Sequence, residues 1–540
     1  MIALELLPPL LLLLSLVVLI PIFRHRHGHR GLPPSPVGMP IIGHFHLLGP
    51  LLHRSFRDLS LSWGPLFSIR LGSVPCIVAS SPDLAREFLK TNELSFASRN
   101  DSIAVARLTY GSSIAFSPYD AYWKFIRRLT MNDLLSSRPL SGFISLRSRE
   151  LHRFLRVLGD KSSRREAVNL SADLRKLSYA IISQMILGDN DTSSSTSAGR
   201  VEEARTVVRE VTKIFGEFNL SDFVWCLRRL DLQGFGKRIE EIFRRYDSLI
   251  ETVLREREEL RRQRKNKDKE KDTDKNKDKE YRDFLDILLD HMEDQKDDNV
   301  PFTRLHVKGL IMDIFTAGTD TTATSIEWTL SELINNRTVL EKAREEIDRV
   351  VGRTRLVTEA DTPNLPYIQA VVKEAFRLHP AVPLVIRKCV RECRVGEHEI
   401  PVGAMLVVNN WAIGRDPHYW ECPSDFRPER FLQSHGEGSN SSKLDIRGQH
   451  FELLPFGTGR RICPGMNLAL QMLPLVVAAI IQCFDLKVVG SLDDENHGDG
   501  HVLKMEEAPG LTVPRLHELI CVPSARLTSV TGILAPEMIE

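Results

Sequence analysis

The segment Phe456-Gly-Thr-Gly-Arg-Arg-Ile-Cys463-Pro-Gly465 presents one cysteine in a glycine-rich loop, with Arg461 two residues before it and a helix-like run from Met466 to Leu473 directly after it. A fold that carries such a loop has to keep a thiolate unprotonated in a partly buried place, which takes nearby positive charge or hydrogen-bond donors. Arg461 and the loop amides can supply both. Gly457, Gly459 and Gly465 permit turns closed to residues with a Cβ, and they let backbone lie close to a flat group. This is how a chain offers a single thiolate to a haem iron. A thiolate ligand favours O–O cleavage, whereas histidine suits oxygen carriage or peroxidase chemistry. A cysteine beside a glycine turn can also serve packing alone, but the full F-x-x-G-x-R-x-C-x-G spacing favours the ligand.

With that spacing the chain resembles the cytochrome P-450 superfamily of haem-thiolate monooxygenases, and three further motifs stand in the family's order. Glu374-Ala-Phe-Arg377 places acid and base three apart on one helical face, and Pro428-Glu-Arg430-Phe431 follows downstream. In the family, residues matching Glu374, Arg377 and Arg430 lock the fold behind the haem. As an isolated surface ion pair, Glu374 and Arg377 would contribute under ~1 kcal/mol. Ala317-Gly318-Thr319-Asp320-Thr321-Thr322 lies inside a periodic segment from Leu305 to about Asn335. A mid-helix glycine costs about 1 kcal/mol relative to alanine, and a local rule broken in this way points to function. The resemblance implies that this helix crosses the distal face of the haem and opens at this point, with Asp320 and Thr321 delivering protons during oxygen activation. Taken from the residues alone, threonine hydroxyls bonded back to the preceding turn are the other reading. Trp123-Lys-Phe-Ile-Arg127 matches the family's W-x-x-x-R, so the resemblance sets Trp123 and Arg127 against a haem propionate. Phe456, Gly459, Arg461 and Gly465 form the cofactor loop around Cys463, the iron ligand. The implied cofactors are haem b, O2 and electrons from NADPH.

The resemblance covers nearly all of residues 31 to 540, and the implied fold is mainly α with small β-sheets. β-prone runs at Leu66 to Val78 and Ala404 to Val408 flank the helical middle. With 42% hydrophobic content over 540 residues the chain can bury a large core, and a formal charge of +1 argues against nucleic acid as a partner. Eight cysteines without paired short spacings do not describe a disulfide framework. Cys389 and Cys393 lack the Cys/His partners of a zinc site.

Leu6 to Phe23 is almost wholly apolar and is followed by Arg24, Arg26 and Arg30. About 20 apolar residues span a bilayer, and basic residues after the span keep the following domain cytosolic. Residues 1–23 therefore read as a membrane anchor, 24–36 as a basic stop-transfer segment with a proline-rich hinge, and 37–540 as the haem-thiolate monooxygenase domain. A cleavable signal peptide is the competing reading of the N-terminus. The resemblance implies single-pass anchoring in the endoplasmic reticulum. Residues 255–282 are almost entirely charged and read as an insertion between two helices. The chain carries no glycine-rich dinucleotide fingerprint after a strand, so electrons are expected from a separate membrane-bound NADPH-cytochrome P-450 reductase.

Ile41 to Leu48, Leu108 to Ser113, Met131 to Leu135, Arg447 to Leu454 and Met505 to Pro514 are similar to the plant microsomal group that oxidises flavanones. One branch of that group forms isoflavone precursors by aryl migration, and another forms flavones by abstraction at C2 and C3. The isoflavonoid-forming enzymes carry serine, leucine and lysine where this chain has Thr321, Val382 and Ile386, which favours the flavone-forming branch. Packing alone is the other reading of Val382 and Ile386. By family position, Tyr110, Ala317, Thr321, Val382, Leu384, Ile386 and Leu511 are expected to line an apolar cavity for a small phenolic substrate. Oxidation of other plant phenolics or triterpenes, and a reductase-independent haem-thiolate isomerase or dehydratase, are the alternatives. Relatives of the latter kind usually lose the Asp-Thr pair, which is present here.

Overall fold

Apolar residues recurring at helical spacing build most of this molecule. A computed structural model describes residues 31–527 except 101, 189–194, 225–226, 228–229, 271–281, 295–299, 433–443 and 490–501. The proposed anchor 1–23 and the basic residues up to Arg30 lie outside the described residues. The longer helices are α1 (Leu52–Trp63), α2 (Ala121–Leu129), α3 (Ile144–Arg164), α4 (Leu170–Leu187), α5 (Ser195–Gly216), α6 (Phe235–Glu270), α7 (Phe284–Glu293), α8 (Arg304–Asn335), α9 (Arg337–Val350), α10 (Pro366–Leu378) and α11 (Met466–Cys483).

Helix α8 is the axis of the core. Thr303 and His306 close a capping box at its start, and most of it from Val307 to Leu333 is buried. It packs along α4 and also against α5, α9, α10 and α11. Helix α11 is the one helix among the described residues long and apolar enough to cross a bilayer, but 72% of it is buried inside the molecule. It is buried because α8, α9 and α10 cover it.

The strands are β1 (Leu66–Leu71), β2 (Val74–Ala79), β3 (Val168–Asn169), β4 (Leu384–Lys388), β5 (Cys393–Val395), β6 (His398–Ile400), β7 (Met405–Asn409), β8 (Phe484–Val488) and β9 (Ile520–Ala525). They form sheets ordered β1-β2-β7-β4, β3-β9-β8 and β5-β6. The run Leu66 to Val78 is an antiparallel hairpin turning at Gly72, whose φ of 58° suits glycine. Strand β2 pairs in parallel with β7, and β7 pairs antiparallel with β4, aligning Ile386 with Val407.

The proline-rich segment lies along β1: Ser68 donates through its amide to Pro34 O (2.7 Å) and through its hydroxyl to Pro33 O (2.8 Å). The charged run 255–282 begins as a continuation of α6, which reaches Glu270. Its Arg257 bonds Asp283 and Asp286, and Arg261 bonds Asp290, so these arginines clamp α6 to α7. Charge composition alone reads as solvated because it does not reveal an acidic partner helix.

Candidate active site

The cysteine loop is built on two left-handed glycines, Gly457 at φ 70° and Gly459 at φ 68°. A Cβ on Gly459 would collide with the carboxylate of Glu93. Gly465 has φ −80°, so it is not required for its dihedral. It stands at the N-cap of α11, where its amide and that of Met466 donate to the Cys463 sulfur. The loop closes through Cys463 N to Phe456 O at 2.9 Å, and the Phe456 ring packs edge-on against Phe376 at 5.2 Å. Burial pushes the Cys463 thiol up, while the two amides and the charges of Arg127 and Arg99 pull it down. A sulfur at a helix N-terminus, with amides and cations aimed at it, is arranged to carry negative charge.

Four arginines gather beside this loop. Arg461 is buried and gives all its bonds to carbonyls: Ala97 O at 2.7 Å, Ile114 O at 3.3 Å and Ser117 O. Its guanidinium lies over the Trp123 ring at 4.1 Å, and the Trp123 indole donates to the same Ile114 O at 2.8 Å. Arg99 has a buried Nε without a partner. Burial lowers Arg99 to about 10 against the pull of Cys463 and Asp313, and it lowers Arg127 against the pull of Cys463. Arg387 is pushed well below its usual value by burial and by the neighbouring charges of Arg99 and Arg461. Among the described residues, none of these four forms an ion pair with a carboxylate. Mutually repelling buried cations with an orphaned N–H fit an anionic group placed among them. A haem, with two carboxylates on one edge and an iron for the thiolate, matches this donor set.

On α8, Ala317 is exposed and Gly318, Asp320 and Thr321 are half-buried in a helix whose flanking turns are buried. Ala317 and Thr321, one turn apart, share the uncovered face, whereas Gly318 lies against Ile182 and Asp320 turns toward α5. The helix runs unbroken through Ala317–Thr322, with the Thr321 hydroxyl donating to Ala317 O at 2.6 Å, so the expected opening is absent here. Thr316, Thr319, Ser325 and Thr329 bond back in the same way, which satisfies each hydroxyl locally. Asp320 faces Thr212 on α5, whose hydroxyl donates to Val208 O at 3.0 Å. Burial raises its carboxyl above the usual range against the pull of Arg175, Thr212 and Arg209.

Glu374 and Arg377 are fully buried, with two bonds of 2.7 Å between them. Arg430 Nε reaches Glu374 at 3.2 Å, and Arg377 also bonds Gly414 O, Pro423 O and Asp425 O. The surface-pair reading therefore does not apply.

The expected substrate-lining residues divide. Leu511 meets the end of α5, where a Cβ on Gly216 would strike its backbone. Val382 is half-buried after α10, and Leu384 and Ile386 share one face of β4, packed on the cluster of Phe67 and Val407. Tyr110 lies toward α6. Its backbone adopts φ 55°, its ring packs on Phe243, and its hydroxyl donates to Asp247 of α6 at 2.8 Å. Asp247 also pairs with Lys308, more than two turns before Ala317, so Tyr110 is tied to the α6 side and not to the uncovered face. Sequence reasoning missed Arg99, Arg387 and Asp313, and also the Phe116–Phe215 ring pair at 5.7 Å, which joins the loop before α2 to the α5 end. A buried acid within the apolar run Leu310-Ile-Met-Asp313-Ile-Phe was the one signal available for Asp313.

Comparison with known proteins agrees with this geometry. A solved structure described as zebrafish cytochrome P-450 with progesterone superposes with a TM-score of 0.69 at 24% identity, covering 88% of this chain and 100% of that one, which shows the fold. Cytochrome P-450 93B16 of Glycine max is 52% identical over 93% of each chain. The 2-hydroxyisoflavanone synthase of Glycyrrhiza uralensis is 48% identical over 93% of each. The 3,9-dihydroxypterocarpan 6A-monooxygenase of Glycine max is 45% identical over 96% of this chain and 98% of its own. The cytochrome P-450 family model matches residues 33–512. The chain belongs to the cytochrome P-450 family and is an oxidoreductase of the monooxygenase kind, similar to plant flavonoid-oxidising members.

Proposed function

We propose that this enzyme oxidises a flavanone such as naringenin at C2, using O2 and electrons passed from NADPH by a separate membrane reductase, and releases a flavone or a 2-hydroxyflavanone. The observation that carries the catalytic part is the Cys463 sulfur, held by the Gly465 and Met466 amides and facing Arg127 and Arg99. A thiolate-ligated haem supplies the chemistry of O–O cleavage and C–H oxidation. Cys463 would ligate its iron, while Arg99, Arg127, Arg387 and Arg461 would neutralise its carboxylates, with Trp123 backing Arg461.

Burial raises the Asp320 carboxyl above the usual carboxylate range against the pull of Arg175, which favours its holding a proton for delivery. Thr321 Oγ1 becomes a donor toward the uncovered face once it leaves Ala317 O. Ala317, the smallest side chain on that face, leaves room for a flat substrate. Phe116, Phe215 and Leu511 approach from the loop before α2, the α5 end and the C-terminal turn. Residues 1–23 would anchor the enzyme in the endoplasmic reticulum with this domain cytosolic. The flavanone assignment rests on Thr321, Val382 and Ile386, and on relatives whose names contain flavonoid products. Isoflavone-precursor formation is the second reading, favoured by 47–48% identity to 2-hydroxyisoflavanone synthases.

Microsomes containing this chain and a plant reductase, fed naringenin with and without NADPH, test the assignment. NADPH-dependent apigenin or 2-hydroxynaringenin supports it. Genistein or 2-hydroxygenistein moves the enzyme to the isoflavonoid branch, and no flavonoid product with an intact thiolate spectrum overturns the substrate while leaving the chemistry.

A further inference from the structure

Asp313 sits on α8, two turns before Asp320, and is 5% exposed. Its two oxygens have separate tasks. One accepts from the Ser113 hydroxyl at 2.7 Å and the other from the Ile114 amide at 2.6 Å. The Ser113 oxygen in turn accepts from the amides of Ala115 and Phe116 at 3.0 and 3.1 Å, so this carboxylate organises the whole turn 113–117. That turn has its own cargo. Ile114 O receives both the Trp123 indole and Arg461, and Ser117 O receives Arg461 again. The charges of both Cys463 and Asp313 act on Arg99.

We propose that Asp313 is a positioning residue: through the carbonyls of Ile114 and Ser117 it sets Trp123 and Arg461 beside the Cys463 loop, so that the distal helix governs how firmly the proximal loop grips the haem. The inference rests on the haem-thiolate reading of Cys463. Asparagine is nearly isosteric with aspartate but turns an N–H toward either Ser113 or Ile114, and an unpaired buried donor disrupts the turn without leaving a cavity.

The test uses the full-length, haem-loaded chain in detergent. It compares the wild type with Asp313→Asn, Arg461→Lys and their double variant, and adds Leu330→Ala as a buried control on α8 away from the turn. The readouts are haem transfer to apomyoglobin, the position of the reduced carbon monoxide band, and Tm. Asp313→Asn is expected to release haem about tenfold faster, from a buried donor left without an acceptor. It is also expected to move part of the carbon monoxide band away from the thiolate position, and to add little to Arg461→Lys. Leu330→Ala should lower Tm and leave haem release unchanged. Equal release by Asp313→Asn and Leu330→Ala at matched Tm loss, or full additivity with Arg461→Lys, would overturn the proposal.

If Asp313→Asn does not accumulate, Ser113→Ala decides: a few-fold faster release supports the proposal, and a wild-type rate sinks it. A wild-type chain without a thiolate carbon monoxide band would instead remove the haem-thiolate reading on which the proposal stands.

Discussion

Burial opposes a charge on the Cys463 sulfur, and the two amides with the nearby Arg127 and Arg99 offset it only in part, so the proposed thiolate would draw on the iron's own charge as well. Replacing Cys463 with alanine should abolish the thiolate band in the reduced carbon monoxide spectrum, and persistence of the band would contradict the ligand assignment. In the proposed function Asp320 and Thr321 would move protons without touching the iron. Asp320→Asn and Thr321→Ala should each keep the haem and its spectrum while lowering product formed per NADPH consumed, with turnover down about a hundredfold, the usual contribution of a positioned proton donor. At this scale the sequence was readable where the chemistry is local. The cysteine, its glycines and Arg461 stand within ten residues. The arginine cluster was half-legible: Arg127 and Arg461 belong to motifs, but Arg99 and Arg387 arrive from segments that no spacing relates. The bond from Tyr110 to Asp247 was not legible, because chain position does not fix the direction of a side chain whose backbone turns through a positive φ.

Helices carry the next set of constraints. Gly309 lets α8 pass close to the turn after Leu108: a Cβ there would lie 2.7 Å from Thr109 O and collide with Ser112 Oγ. Gly309→Ala gains about 1 kcal/mol of helix propensity but forces backbone apart at an overpacking cost of about 1–3 kcal/mol. The clash is with a carbonyl, which cannot rotate away, so the variant should melt at a lower temperature by calorimetry. In α10, Glu374→Gln leaves the fully buried Arg377 and the nearly buried Arg430 without a counter-charge. Removing one partner of such a buried pair costs about 3–5 kcal/mol, and the expected result is loss of haem-loaded protein from membranes at equal transcript level. The periodicity of α8 and α10 was evident in the sequence. The depth of the Glu374 network was not, because the carbonyls that hold Arg377 lie on an irregular stretch at 414–425 that has no pattern to read.

Across the molecule, the two ends of the domain meet at Glu507. It bonds His53 at 2.9 Å, Arg54 at 2.7 Å and the Trp411 indole at 2.8 Å, all while 3% exposed as a side chain. Burial alone would raise its carboxyl, but His53 and Arg54 outweigh it and hold it at about 2. A carboxyl held below its unfolded value of about 4.3 contributes stability that is complete above that value and is lost as pH falls toward 2. Tm should therefore drop more steeply on acidification below pH 4.5 in the wild type than in Glu507→Gln, and parallel slopes would contradict the assignment. The parallel pairing of β2 with β7 has a consequence in time. Ribosomes add about 5–20 residues each second, so β2 waits on the order of tens of seconds for Met405 to emerge. Until then its free edge is a template for pairing with another chain. Truncated chains that stop before β7 should therefore aggregate, by light scattering, at concentrations where the whole chain does not.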